Sequence, residues 1–94
     1  MSLEDLRREI DEIDARIVQL IAGRIRAAEE IGKEKQKRGK HIEDKEREKW
    51  VLDNVKGIAQ EENISQEDIE NIYKQITSAC KGIQGTAVAF QGEI

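Results

Sequence analysis

The sequence contains no proline, one cysteine and three aromatic residues among 94 positions. Cys80 alone excludes an intrachain disulfide and a cysteine-based zinc site, and no histidine lies near it in sequence to activate it as a nucleophile. No apolar run approaches the ~20 residues of a transmembrane helix, and no signal peptide is visible. These absences predict a cytoplasmic protein without a cysteine-based zinc site.

The formal net charge of −4 argues weakly against nucleic acid or an anionic membrane as a partner. Charged residues make up 38% of the chain, and most of the apolar ones are isoleucine, leucine, valine and alanine. This mixture is typical of helices that each carry one apolar stripe. The composition therefore predicts a single small all-α domain.

Apolar spacings of three and four residues predict three helices. The first extends from about residue 3 to 37, the second from Ile42 or Glu43 to Glu62, and the third from Ser65 to between Gly82 and Gly85. Local signals mark their ends: Ser2 and Ser65 are N-cap residues, each with an aspartate three positions later, and Asn63 is a C-cap residue.

The first predicted helix is too long for a compact domain of this size. It would span ~50 Å at 1.5 Å per residue, whereas a compact chain of this length is about 25–30 Å across. Its apolar stripe, which begins Leu6, Ile10, Ile13, Ile17, Leu20, cannot be covered by its own chain. We therefore expect a helix of a second copy to lie along it.

The last ten residues differ in character from the rest. Residues 87–90, with the sequence AVAF, are typical of a short strand followed by a glycine turn. We therefore divide the chain into a helical domain, residues 1–84, and a tail, residues 85–94, which would be a linker or the start of a following domain.

Charged and polar residues interrupt all three apolar stripes. Arg24 and Lys35 lie within about 20° of Leu6 on a helical wheel, at the centre of the first stripe, and Arg7 lies at its edge. The second stripe continues into Asp44, Arg47 and Glu48, and the third includes Gln84 beside Cys80.

One such residue alone would be interpreted as a buried salt bridge or as a long side chain that reaches solvent. Together they favour a polar site. The excess of cations over carboxylates suits a small anion with more than one negative group, since arginine binds carboxylates in fixed geometry.

The motifs LRREIDEID, LIAGR, IGKEK, EDKERE and SACKGIQ, in this order, resemble the all-helical class of chorismate mutases over residues 4–84. The resemblance implies an intertwined homodimer with a very long first helix and two shared active sites. It also implies the rearrangement of chorismate, a dicarboxylate, to prephenate in phenylalanine and tyrosine biosynthesis, without a cofactor.

The resemblance also implies residue roles. Arg24 would hold one substrate carboxylate, and Arg7 would cross into the partner's site to hold the other. Lys35 and Gln84 would be catalytic as well as substrate-binding, because both would donate to the ether oxygen, and Lys35 would also reach a carboxylate. Glu48 would accept a hydrogen bond from the ring hydroxyl. The remaining residues assigned to substrate binding are Asp44, whose backbone would help, Arg47, which would organise that corner, and Cys80.

Cys80 stands where a serine is common in this family, and a thiol is a weak hydrogen-bond donor. The tail segment AVAFQGE resembles the opening of prephenate dehydratase, which implies a fusion to that enzyme in the full-length protein.

Two other functions are compatible with the sequence. An enzyme of the same fold that removes pyruvate from isochorismate would share many of these residues. A non-enzymatic dimerisation module would use the first helix as a coiled-coil arm, with Arg24 and Lys35 as polar core positions that fix the register.

Overall fold

The structure is a computed structural model that describes residues 1–39 and 45–93, with side chains for 1–39 and 45–82. These ranges form three helices: α1 (Leu3–Lys37), α2 (Lys45–Glu61) and α3 (Gln66–Glu93). The described ranges contain no strand, so the all-α fold class is confirmed. Within these ranges no helix is both long enough and apolar enough to cross a membrane.

The first helix begins and ends where its local sequence predicts. The Ser2 hydroxyl accepts a hydrogen bond from the Asp5 N–H at 3.1 Å, and the Asp5 carboxylate accepts one from the Ser2 N–H at 3.3 Å. This reciprocal pair is a capping box, which satisfies two N–H groups at the start of the helix. After Lys37 the chain turns at Gly39, whose φ of 68° is readily adopted by a residue without a Cβ.

The turn between α2 and α3 is closed by backbone hydrogen bonds. Asn63 adopts a φ of 60°, and the Ile64 N–H donates to the Ala59 carbonyl at 2.8 Å. Asparagine tolerates this left-handed conformation better than most residues, so the predicted C-cap is confirmed. The Ser65 hydroxyl then accepts from the Asp68 N–H at 3.2 Å, which confirms the predicted N-cap of α3.

The core is small and lies where α3 packs against α1 and α2. All of the buried residues among those described are small or medium-sized: Ala28, Gly32, Val55, Ala59 and Cys80. Ion pairs also link the helices. Glu70 of α3 pairs with Lys56 of α2, and with Lys74 of its own helix at 3.2 Å.

The N-terminal half of α1 makes little contact with the rest of the chain, and residues 3–20 are all exposed. Its apolar stripe, here called the N-terminal apolar row, comprises Leu6, Ile10, Ile13, Ile17 and Leu20, with exposed fractions of 44, 56, 47, 48 and 73%. The molecule is correspondingly long, 54 Å in its largest dimension. As expected, the chain does not cover this row itself.

Two expectations about the third helix and the tail are wrong. The helix does not end between residues 82 and 85, and the expected strand over 87–90 is absent, because α3 continues to Glu93. A lone strand would leave its backbone N–H and C=O groups without a ladder partner, whereas a helix satisfies them within the segment. No proline interrupts the helix, and an isolated glycine is tolerated.

Candidate active site

The three helices line an open cavity of about 300 Å³ beside the small core. The lining consists of Arg24, Ala27, Ala28, Ile31 and Lys35 from α1, Arg47, Glu48 and Val51 from α2, and Thr77, Cys80 and Lys81 from α3. Four of these side chains are cationic and one is a carboxylate, and the remainder of the wall is mostly apolar. Such a cavity suits a small organic anion.

Helix geometry explains why α1 contributes two cations to one wall. Arg24 and Lys35 are eleven positions apart, so they differ by only about 20° around the helix axis and by about 16 Å along it. Both are half-buried. One rigid element therefore holds a guanidinium and an ammonium group towards different parts of the same cavity.

The thiol of Cys80 orients Arg24. The Arg24 guanidinium donates a hydrogen bond from Nη1 to the Cys80 Sγ at 3.0 Å, and it lies 5.9 Å from the centre of the Tyr73 ring. Cys80 is 5% exposed and therefore fixed in position. In this structure the thiol, at a position where serine is common in the family, accepts a hydrogen bond from Arg24.

The α2 side of the cavity has a second arginine and a carboxylate. The Arg47 guanidinium lies 4.6 Å from the centre of the Trp50 ring, in a cation–π contact. Trp50 is 55% exposed, and the face of its ring supports Arg47. Glu48 is half-buried and pairs with Lys81 at 2.5 Å.

Lys81 is a cavity residue that the sequence analysis missed. Thr77, Cys80 and Lys81 have the i, i+3, i+4 spacing of one helical face, so the sequence did carry a signal for it. Lys81 is charged and lies beside the apolar members of the third stripe, so the apolar period alone does not identify it.

The structure places five of the eight predicted site residues at this cavity: Arg24, Lys35, Arg47, Glu48 and Cys80. It does not bring Arg7 there, because that residue lies on the exposed N-terminal half of α1. Asp44 and the side chain of Gln84 lie outside the described residues, and their predicted roles stay predictions.

The resolved pKa shifts belong to a pair that does not line this cavity. A hydrogen bond from Lys56 lowers the pKa of Glu70, and the same contact raises the pKa of Lys56. No group of histidine, cysteine, aspartate and glutamate side chains among the described residues has an arrangement that could hold a metal ion. The described lining of the cavity offers hydrogen-bond donors and charged groups.

The described residues thus form an all-helical fold with a cationic, partly apolar cavity. Comparison with known sequences is more specific: the chain belongs to the chorismate mutase type II family, which matches residues 6–85. No solved structure gives a significant match.

Individual relatives carry related names. The chain is 33% identical over 82 residues to the chorismate mutase of Methanocaldococcus jannaschii, covering 87% of this chain and 83% of that protein. It is 34% identical over 85 residues to the bifunctional chorismate mutase/prephenate dehydratase of Aquifex aeolicus, of which it spans 24%. It is also 35% identical over 74 residues to the T-protein of Haemophilus influenzae, of which it spans 20%.

Proposed function

We propose that this chain rearranges chorismate to prephenate in the cavity between its three helices. The observation that carries the proposal is the convergence of Arg24, Lys35 and Arg47 on one small, partly apolar cavity. Chorismate has two carboxylates and an ether oxygen, so a cavity with several fixed cations has the complementary charge. Family membership and the names of the relatives support the same reaction.

The proposed reaction needs no covalent intermediate. In this intramolecular Claisen rearrangement one C–O bond breaks and one C–C bond forms, and no proton is transferred. The protein has to hold the enolpyruvyl arm over the ring, which fixed arginine–carboxylate contacts can do. Arg24 is suited to this because Cys80 and Tyr73 hold its guanidinium in place.

The protein must also stabilise the negative charge that grows on the ether oxygen as the C–O bond breaks. Lys35 is the proposed donor from α1, and Gln84 is the proposed donor from α3. Donors that are already oriented in a partly dry cavity stabilise a developing charge more effectively than water does. Glu48 is proposed to accept a hydrogen bond from the ring hydroxyl, with Asp44 and Arg47 helping to shape that corner.

We further propose that the functional unit is a homodimer. The chain exposes 7858 Å² of surface, whereas a compact monomer of its 10.7 kDa mass exposes roughly 5,500 Å². The excess of about 2,300 Å² per chain is sufficient for an obligate interface. The N-terminal apolar row is the surface that such an interface would cover.

A dimer also gives Arg7 a route to the substrate. Seventeen positions separate Arg7 from Arg24 on one continuous helix, or about 25 Å at 1.5 Å per residue. A rigid helix cannot place both side chains on one small molecule. Arg7 would therefore complete the site of an antiparallel partner and hold the second carboxylate.

Fusion to a second enzyme is a separate proposal. The relatives from Aquifex aeolicus and Stutzerimonas stutzeri are bifunctional chorismate mutase/prephenate dehydratases. These relatives support a full-length protein in which this helical domain is joined to a dehydratase. Sequencing the transcript that encodes the chain tests this, since a stop codon directly after residue 94 would contradict it.

The decisive experiment is to add the purified chain to chorismate, follow the loss of chorismate absorbance and identify the product. Prephenate as the sole product supports the proposal. Release of pyruvate would indicate a lyase instead, and unchanged chorismate would leave only a binding or dimerisation role. Sedimentation of the same sample tests the dimer, because an active species with the mass of one chain would contradict it.

A further inference from the structure

Lys81 is the described cavity cation to which neither the sequence motifs nor the resemblance assigns a role. It projects from α3, and its Nζ lies 2.5 Å from Oε1 of Glu48 on α2. Both side chains are about one-third exposed, at 38% for Lys81 and 33% for Glu48. Both also line the cavity of about 300 Å³ and a second cavity of about 280 Å³ beside it. The pair thus stands in the wall between the two cavities.

We propose that Lys81 is a positioning residue that holds and neutralises the carboxylate of Glu48 while substrate is bound. The inference rests on the proposed function, in which Glu48 accepts a hydrogen bond from the ring hydroxyl of a dianionic substrate. A bare carboxylate in that cavity would repel the substrate carboxylates. A carboxylate paired with an ammonium group keeps its acceptor lone pairs without adding a net negative charge.

The charges around the cavity agree with this role. The described lining has four cations and one carboxylate, namely Arg24, Lys35, Arg47, Lys81 and Glu48. Four positive charges and one negative charge give this lining a net charge of +3, which suits a dianionic substrate. Arg24 and Lys35 of α1 are the proposed direct ligands of the substrate, and the α3 lysine acts through Glu48.

The hydroxyl of Thr77, which also lies on α3, is hydrogen-bonded to its own helix. The Thr77 Oγ1 donates to the Tyr73 carbonyl at 2.9 Å and lies 3.1 Å from the Lys74 carbonyl. It is therefore bound to the backbone of its own helix. Lys81, one turn further along α3, is the residue whose charged group reaches Glu48 across the helix interface.

A double-mutant cycle on Lys81 and Glu48 tests the proposal. We expect Lys81→Met to raise KM for chorismate about tenfold and to leave kcat within about threefold, since unscreened repulsion weakens substrate binding. In a Glu48→Gln background, where the neutral amide needs no counter-charge, the same substitution should change kcat/KM by less than about twofold. Lys81→Arg should restore KM in the chain that retains Glu48.

Two controls separate positioning from stability. Lys74→Met removes a lysine two turns earlier on α3 that pairs with Glu70 and does not line the main cavity, so KM should stay unchanged. Lys81→Gln, which retains a donor and most of the side-chain length, replaces Lys81→Met in the cycle if the methionine variant does not fold. The melting temperature of each variant is measured beside its kinetics.

The outcomes distinguish the inference from the function on which it rests. If the unaltered chain does not convert chorismate, the proposed function fails and the inference fails with it. If it does convert chorismate, the double-mutant cycle decides. When the effects of Lys81→Met and Glu48→Gln on the free energy calculated from kcat/KM simply add, Lys81 contacts substrate directly and the positioning role is wrong. A Lys81→Met variant with unchanged KM also overturns it.

Discussion

At the scale of single residues, Lys35 illustrates what a sequence can predict about a site. A lysine on an apolar stripe is unexpected in a purely structural helix, since burial of an unpaired ammonium group is costly. Helical geometry alone then fixes it on the same face as Arg24. The structure places both on one cavity wall, although the catalytic role of Lys35 stays a prediction.

Replacing Lys35 with alanine should lower kcat by at least about 100-fold, because it removes the proposed donor to the ether oxygen. We expect the fold to be as stable as before or more stable, since a half-buried charge is lost. Steady-state kinetics and thermal unfolding of the same preparation measure both effects.

Lys33→Ala is the matched control, because Lys33 lies two positions away on α1, is 61% exposed and pairs with Glu30 at 3.4 Å. It should keep its activity. Near-normal turnover in Lys35→Ala together with a lower melting temperature would instead favour the coiled-coil interpretation.

The residue contacts that could not be predicted are those between helices. The pairing of Lys81 with Glu48, and the hydrogen bond from Arg24 to Cys80, depend on how α3 packs against α2 and α1. The period of a helix gives the face on which a side chain lies. It does not give the neighbour that this face meets.

At the scale of helices, the ends that depend on local chemistry were predicted accurately. Ser2, Asn63 and Ser65 each satisfy backbone groups within a few positions, so sequence alone identifies them. The end of α3 was not predicted, because residues 87–90 have side chains common in strands. Without a neighbouring strand the helical backbone is favoured, a choice that depends on tertiary context.

The ion pair between α2 and α3 predicts how stability depends on pH. Lys56 lowers the pKa of Glu70 below its ordinary 4.5 in the folded chain. The pair's contribution to stability is therefore present above pH 4.5 and lost as pH falls through the lowered pKa. Glu70 raises the pKa of Lys56 above 10.5, so the contribution is present below pH 10.5 and lost as pH rises through the raised value.

Glu70→Gln should therefore lower the free energy of unfolding near neutral pH. In strong acid the variant and the unaltered chain should have the same free energy of unfolding. Denaturant titrations across the pH range measure the difference. Glu29→Gln, at an exposed position of α1, serves as the control. If the two free energies of unfolding differ by as much well below pH 4.5 as at neutral pH, the Glu70 side chain contributes through packing rather than charge.

Removal of residues 85–94 tests the division of the chain into a catalytic domain and a tail. The family match ends at residue 85, and the described cavity residues all precede it. We expect kcat/KM to change by less than about twofold and the melting temperature by a few degrees at most. A large loss of either would mean that the last turns of α3 belong to the catalytic domain.

At the scale of the whole molecule, the long first helix is the dominant feature. The radius of gyration is 16.5 Å, whereas a compact domain of this length has one of about 12 Å. Sequence predicted the length of α1 and the exposure of its N-terminal apolar row. It could not predict the arrangement of a partner, since periodicity describes one helix and not the surface that covers it.

Mixing two inactive variants tests whether the site is shared. Arg7→Ala and Lys35→Ala should each be inactive alone, because each removes one proposed contact from both sites of the proposed dimer. After subunit exchange about half of the dimers are heterodimers, and each has one intact site, so about a quarter of the normal activity should return.

The exchange itself is monitored by mass with a tagged chain. Arg8→Ala, whose guanidinium is exposed and lies 3.7 Å from Asp5, is the matched control and should stay active without mixing. Demonstrated exchange with no recovered activity would mean that Arg7 does not complete a partner's site.

The exposed N-terminal apolar row also has a consequence for the order of events in folding. A helix gains most of its stability from tertiary packing, and residues 3–20 have almost no packing partner in their own chain. If the row is covered only by a second copy, this half of α1 becomes stable only after two chains collide. Refolding would then be a bimolecular process, with a half-time that doubles each time the protein concentration is halved. A newly made chain would have to find a partner before its longest helix could persist.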